Sequence, residues 1–135
     1  MIVLCCGVFD VLHAGHVHLL QAAAALGSVL VVGINSDESA AALGKGPGRP
    51  FNTAEDRAAV LLALRCVDRV VIFDEPTPEA LIRALRPAVY VKGGDYTAQA
   101  LPEARAVYEV GGTIAILPLL PGHSTTATLR RMGVE

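Results

Sequence analysis

The sequence predicts one α/β domain, a three-layer α/β/α Rossmann-like fold around a five-stranded parallel sheet. Three observations predict it. Five short apolar runs, Ile2–Cys6, Val29–Ile34, Val70–Phe73, Val89–Val91 and Thr113–Leu117, are rich in β-branched residues and bounded by Gly, Pro or charged residues. Helical patterns separate them, and strand–helix alternation with short connections implies a parallel sheet with right-handed crossovers. Third, the apolar fraction of 53% and mean hydropathy of +0.49 suit strands covered on both faces. The 135 residues match one domain, 1–135, and are enough to bury a core.

The first strand, Ile2–Cys6, hands over to a helix from about His13 to Leu26, expected to end on Gly27 as a C-terminal cap. Val11 to Ser36 is a 26-residue run without Asp, Glu, Lys or Arg, which raises the question of a membrane span. His13, His16, His18 and Gln21 interrupt it, and Gly27-Ser28 splits it into a helix and a strand too short to cross hydrocarbon, so no membrane partner is expected. The next helix begins at Thr53, where Thr53-Ala54-Glu55-Asp56 resembles a capping box, and runs to about Cys66. Thr77-Pro78-Glu79 starts another, with a threonine cap, a proline at the first helical position and an acid in the first turn. Pro102–Val110 and Thr125–Met132 supply two more.

The formal charge of −2 and the scattered Lys and Arg residues argue against nucleic acid as a polyelectrolyte partner. Cys5, Cys6 and Cys66 make a poor disulfide framework and read as core filler in a reducing cytoplasm. The first residues form neither a basic segment followed by a cleavable apolar one nor an amphipathic Arg/Ser-rich one, so no export is expected.

Ligands of a parallel sheet gather at the carboxyl ends of its strands. Four polar motifs fall there: Gly7 to His16 after the first strand, Asn35-Ser36-Asp37 after the second, Lys92-Gly93-Gly94-Asp95-Tyr96 after the fourth, and His123-Ser124-Thr125-Thr126 after the fifth. They are expected to converge on one cleft. The first is the most informative, because it sets His13 and His16 one turn apart at the start of a helix, where orphan N–H groups and the macrodipole already favour an anion. Such a pair also serves structural roles, or zinc where a third ligand exists, but no third ligand is evident. His18, two residues on, belongs to another helix face. Ser124-Thr125-Thr126 reads as a helix cap whose amides could also bind an anion, and Gly93-Gly94-Asp95 as either a plain turn or a close-approach loop.

The motif Gly7-x-Phe9-Asp10-x-x-His13-x-Gly15-His16, together with Ser124-Thr125-Thr126, resembles the cytidylyltransferase-like nucleotidyltransferases. Lys45-Gly46-Pro47-Gly48-Arg49-Pro50, Val67-Asp68, Thr77-Pro78 and Val91-Lys92-Gly93-Gly94-Asp95-Tyr96 are most similar to the heptose 1-phosphate adenylyltransferases within them. The resemblance implies AMP transfer from ATP, with Mg²⁺, to a sugar 1-phosphate, giving an ADP-sugar and pyrophosphate. It implies His13, His16 and Lys45 as catalytic residues, and Gly7, Val8, Phe9, Lys92, Gly93, Asp95, Ser124, Thr125 and Thr126 as nucleotide-facing. Asp10, Asp37 and Arg49 would face the acceptor, and Asp10 would also order the first turn or help hold the metal. A homodimer is implied as well, as is a separate kinase in place of the sugar-kinase domain fused to some relatives. The alternatives are a CTP-dependent enzyme acting on glycerol 3-phosphate or another small phosphate, and a nucleotide-binding regulatory protein without turnover.

Overall fold

The computed structural model describes all residues except 45–47, 95, 119–124 and 134–135, and for 125–127 the backbone alone. The described residues form a five-stranded parallel sheet of β1 (Ile2–Gly7), β2 (Val29–Asn35), β3 (Arg69–Phe73), β4 (Val89–Gly93) and β5 (Thr113–Leu117), in the order β3-β2-β1-β4-β5. The helices are α1 (Ala14–Ala24), α2 (Asp37–Ala41), α3 (Ala54–Leu62), α4 (Glu79–Leu85), α5 (Ala104–Glu109) and α6 (Thr125–Arg131), with a 3₁₀ turn at Ala98–Ala100.

Side chains alternate across the sheet with period two and build two cores. Val3, Cys5, Leu30, Val32, Ile34 and Val91 pack on one face with Leu19, Leu20 and Ala23 of α1 and Leu61 of α3. Leu4, Cys6, Val31, Phe73 and Tyr90 pack on the other with Ile82 of α4 and Ala106 and Val107 of α5. The sheet order reverses direction between β1 and β4, so the crevice expected of such a sheet lies at their carboxyl ends, where Gly7 and Lys92 sit. Asp68, from the Val67-Asp68 motif, pins the start of β2. Its Oδ2 accepts from Leu30 N–H at 2.8 Å, and its own N–H donates to Leu30 O at 3.0 Å.

Two expected helix ends differ from the structure. Gly27 is not the cap of α1: the helix closes at Ala25, with right-handed backbone, and Gly27 has no positive φ. Close approach explains the glycine there, since a Cβ would stand 2.7 Å from Val3 Cγ2 and 2.9 Å from Met1 O. Pro78 occupies the cap position of α4 instead of its first helical residue, and no side chain caps that helix. Thr53 does cap α3, its Oγ1 accepting from Asp56 N–H at 3.2 Å. The sequence reading also missed α2, whose cap is Ser36, with Oγ accepting from Ser39 N–H at 3.2 Å.

Candidate functional site

The loop after β1 is a strained turn. Phe9 and Val11 have φ of 51° and 53°, left-handed values that a β-branched valine rarely takes, so the surrounding contacts must hold them there. Phe9 is buried, and its ring closes against Gly7, where a Cβ would stand 3.0 Å from Phe9 Cε2. Buried Asp10 ties the turn to the segment before α3, its carboxyl oxygens accepting from Phe51 N–H (2.6 Å), Asn52 N–H (3.1 Å) and Asn52 Nδ2 (3.1 Å). These bonds order the turn.

Immediately downstream, the two imidazoles cap α1 reciprocally. His13 Nδ1 accepts from Gly15 N–H at 3.0 Å, and His16 Nδ1 accepts from His13 N–H at 3.3 Å, a capping box built from histidines. The rings stack with centroids 3.8 Å apart at 26°, and the Phe9 ring lies 5.3 Å from that of His16. A nitrogen that accepts a hydrogen bond carries no proton, so in this arrangement each ring holds its proton on Nε2. The cap thus fixes both tautomers and makes each histidine an Nε2–H donor at the positive end of a helix.

Arg57, which the sequence reading did not single out, joins these parts. It is 2% exposed in the first half of α3 and makes four hydrogen bonds. Its Nε donates to Asn52 O (3.0 Å), its Nη1 to Val8 O and Asn35 O (both 2.9 Å), and its Nη2 to Asp37 Oδ1 (2.9 Å). One guanidinium therefore clamps the ends of β1 and β2, the start of α2 and the segment entering α3. Asp37 Oδ1 also accepts from Ala54 N–H at 2.9 Å, so this carboxyl positions α3 as well as standing at the strand ends.

Of the remaining expected residues, Lys92 and Gly93 end β4, and Lys92 Nζ lies 5.4 Å from the Tyr96 ring centroid. Gly94, with φ of 126°, donates to Leu117 O at 3.0 Å and carries the turn that follows. Arg49 lies over the Phe51 ring at 5.8 Å and precedes a cis peptide to Pro50. Lys45, Asp95 and Ser124 lie outside the described residues; Thr125 and Thr126 open α6, and their side chains also lie outside them. His18 is exposed, in keeping with a separate helix face. A cavity of about 300 Å³ opens at the strand ends, lined by Gly7 and Val8 after β1, Asn35 of β2, Phe73 of β3 and Lys92 of β4. Residues of three of the four motifs, Gly7 and Val8, Asn35, and Lys92 and Tyr96, therefore meet at one cleft; His13 and His16 are not among its lining residues. Burial pushes the Cys5 thiol up to about 12 and raises that of Cys6 further, which suits core packing and not nucleophilic chemistry.

A doubly wound sheet with paired imidazoles capping the first helix defines a nucleotide-handling α/β domain, and the chain belongs to the cytidylyltransferase-like family, whose model matches residues 4–128. Among relatives, it is 52% identical to the D-beta-D-heptose 1-phosphate adenylyltransferase of Bordetella bronchiseptica, across 93% of this chain and 78% of that protein. It is 58% identical to the bifunctional protein HldE of Streptomyces coelicolor across 93% of this chain and 27% of that protein, so it spans about a quarter of the bifunctional relative. A crystal structure of a lipopolysaccharide core biosynthesis protein from Thermoplasma volcanium has a TM-score of 0.72 at 29% identity, covering 89% of this chain and 96% of that one. Pantothenate synthetase from Thermus thermophilus shares the fold, with a TM-score of 0.58 at 16% identity over 96% of this chain and 66% of that one.

Proposed function

We propose that the chain transfers AMP from ATP to a sugar 1-phosphate, a heptose 1-phosphate in the first instance, giving an ADP-sugar and pyrophosphate. The observation that carries the substrate is the 52% identity to an adenylyltransferase named for that phosphate, along 93% of this chain. The geometry suits the chemistry. A phosphate monoester with a second pKa of about 6 is largely ionised at neutral pH and needs no general base. Its oxygen attacks the α-phosphorus, forming the new P–O bond as the bond to the β-phosphate oxygen breaks and pyrophosphate leaves. The barrier is the approach of anions and the charge on the phosphoryl oxygens, which fixed donors lower. His13 and His16, their rings oriented by the Nδ1 bonds of the cap, serve as such donors in this reading, and the Arg57 clamp holds the turn that bears them.

Lys45, Ser124, Thr125 and Thr126 complete the phosphate cradle in this reading, Phe9 backs the imidazoles, and Gly7, Val8, Lys92, Gly93 and Asp95 face the nucleotide or the cleft between it and the acceptor. Among the described residues no group of three or more His, Cys, Asp or Glu could hold a metal ion, and the oxygens of Asp10 are engaged by the 51–52 segment. Mg²⁺ therefore belongs to this reading as the ion that ATP brings on its phosphates. A cytoplasmic homodimer, without nucleic acid or membrane as partner, completes the reading; no described helix is long and apolar enough to cross a membrane. Pyrophosphate release with each triphosphate and acceptor tests it. Turnover with ATP and heptose 1-phosphate is expected, and release only with CTP and glycerol 3-phosphate would overturn it.

A further inference from the structure

The cleft contains a buried carboxyl that the phosphate chemistry does not use. Glu103 stands at the residue preceding α5, where a side-chain oxygen ordinarily caps the helix. It makes no cap bond. It turns instead to Tyr90 on β4, whose hydroxyl donates to Glu103 Oε2 at 2.6 Å, and both residues line the strand-end cavity.

Glu103 is 4% exposed and Tyr90 fully buried. Taking a carboxyl out of water costs several kcal/mol unless donors or charges offset it. One hydroxyl reaches Oε2, and among the described residues no ion pair forms; Oε1 is not one of the buried atoms left without a partner, so it keeps access to the cavity that Glu103 lines. A packing role would be served as well or better by apolar side chains of similar volume. A carboxyl in a cavity wall with one oxygen held by a tyrosine and the other open to the cavity is instead a group that can accept from a ligand's donor. The same wall carries a cation, Lys92, and apolar surface from Phe73, Pro78 and Leu101. A volume of about 300 Å³ matches a small polar metabolite. A ligand with a phosphate at one end and hydroxyls along a carbon skeleton meets all three features.

We infer that the Tyr90–Glu103 pair determines acceptor specificity, Glu103 Oε1 accepting a hydrogen bond from a hydroxyl of the sugar phosphate while Tyr90 fixes the carboxyl's orientation. This rests on the adenylyltransferase reading and names the residues that recognise its acceptor. The test is steady-state pyrophosphate release with ATP and heptose 1-phosphate for the wild type, Glu103→Gln and Tyr90→Phe, with melting temperatures recorded. Glu103→Gln keeps the shape and an acceptor for Tyr90, and is expected to raise KM for the sugar phosphate about tenfold or more while KM for ATP stays within twofold. Tyr90→Phe removes one hydroxyl, leaves the carboxyl in place, and is expected to raise the same KM by a smaller factor; it decides the matter should Glu103→Gln not fold. Wild-type turnover with an unchanged acceptor KM in the variants, or with both KM values rising together, would overturn the pair's role alone. A wild type silent with every sugar 1-phosphate would overturn the adenylyltransferase reading and this inference with it.

Discussion

Replacing Arg57 by lysine keeps the charge and most of the length but cannot span four acceptors. The structure allows the loss to be bounded. Lysine's ammonium can follow Nη1 or Nη2, not both together with Nε, so about two of the acceptors Asn52 O, Val8 O, Asn35 O and Asp37 Oδ1 lose their donor. Each buried acceptor left without a partner costs about 1–2 kcal/mol, and the surviving bonds lose their fork geometry, so Arg57→Lys should cost about 2–4 kcal/mol. The Asp37 partner adds little, because its side chain is 43% exposed and water replaces much of that pairing. For a domain of this size, that predicts a melting temperature lower by roughly 6–16 °C. Val8 O belongs to the turn that sets the imidazoles, so kcat of the still-folded variant should fall about tenfold or more at a temperature well below its transition. Differential scanning calorimetry and pyrophosphate release measure both. A melting temperature within about 2 °C of wild type, with unchanged kcat, would refute the clamp.

Two further outcomes follow from the geometry. His16→Ala removes a preorganised donor and half the capping box of α1, so the rate of AMP transfer should fall on the order of 10²-fold, with a stability loss of about 1 kcal/mol; a folded variant at wild-type rate would remove His16 from the chemistry. The raised thiols predict alkaline sensitivity. Folding lifts Cys5 from an ordinary value of 9 to about 12, so above pH 9 the unfolded chain releases a proton that the folded chain keeps, and stability falls as pH rises. Cys6 adds to the slope in the same direction, Tyr90 from about pH 10, so urea midpoints should decline steadily between pH 9 and 12, and Cys5→Ala, Cys6→Ala should flatten that decline; a midpoint constant to pH 11 would contradict it.

The fold was legible because strands covered on both faces leave continuous apolar runs. Thr113–Leu117 is recovered residue for residue. Where the reading stopped short, at Cys6, Ile34 and Val91, the ladder runs on through Gly7, Asn35 and Lys92–Gly93, since backbone pairing continues where side chains turn polar toward the site. The imidazole pair was legible from spacing alone, as was the meeting of three of the four strand-end motifs at one cavity. The reciprocal cap was not, because His is an uncommon capping residue and no Ser, Thr, Asp or Asn marks the start of α1. Arg57 was illegible for a different reason. A lone arginine in the first turns of an amphipathic helix reads as a solvated charge, and only the folded chain brings Val8, Asn35 and Asp37 within reach of its guanidinium. Glu103 reads as the acid that commonly opens a helix, and its diversion to Tyr90 depends on β4 lying beneath α5. The left-handed turn at Phe9 and Val11 carries no glycine to announce it.

In the proposed reaction, stacked imidazoles held by their own helix cap donate from Nε2 to the phosphates of the attacked nucleotide. A crystal structure with a non-hydrolysable ATP analogue and Mg²⁺ tests it most directly. Phosphate oxygens are expected at about 2.7–3.2 Å from Nε2 of His13 and His16, with both Nδ1 bonds to the backbone retained. Phosphates seated elsewhere, with either ring turned so that Nδ1 faces the ligand, would contradict it.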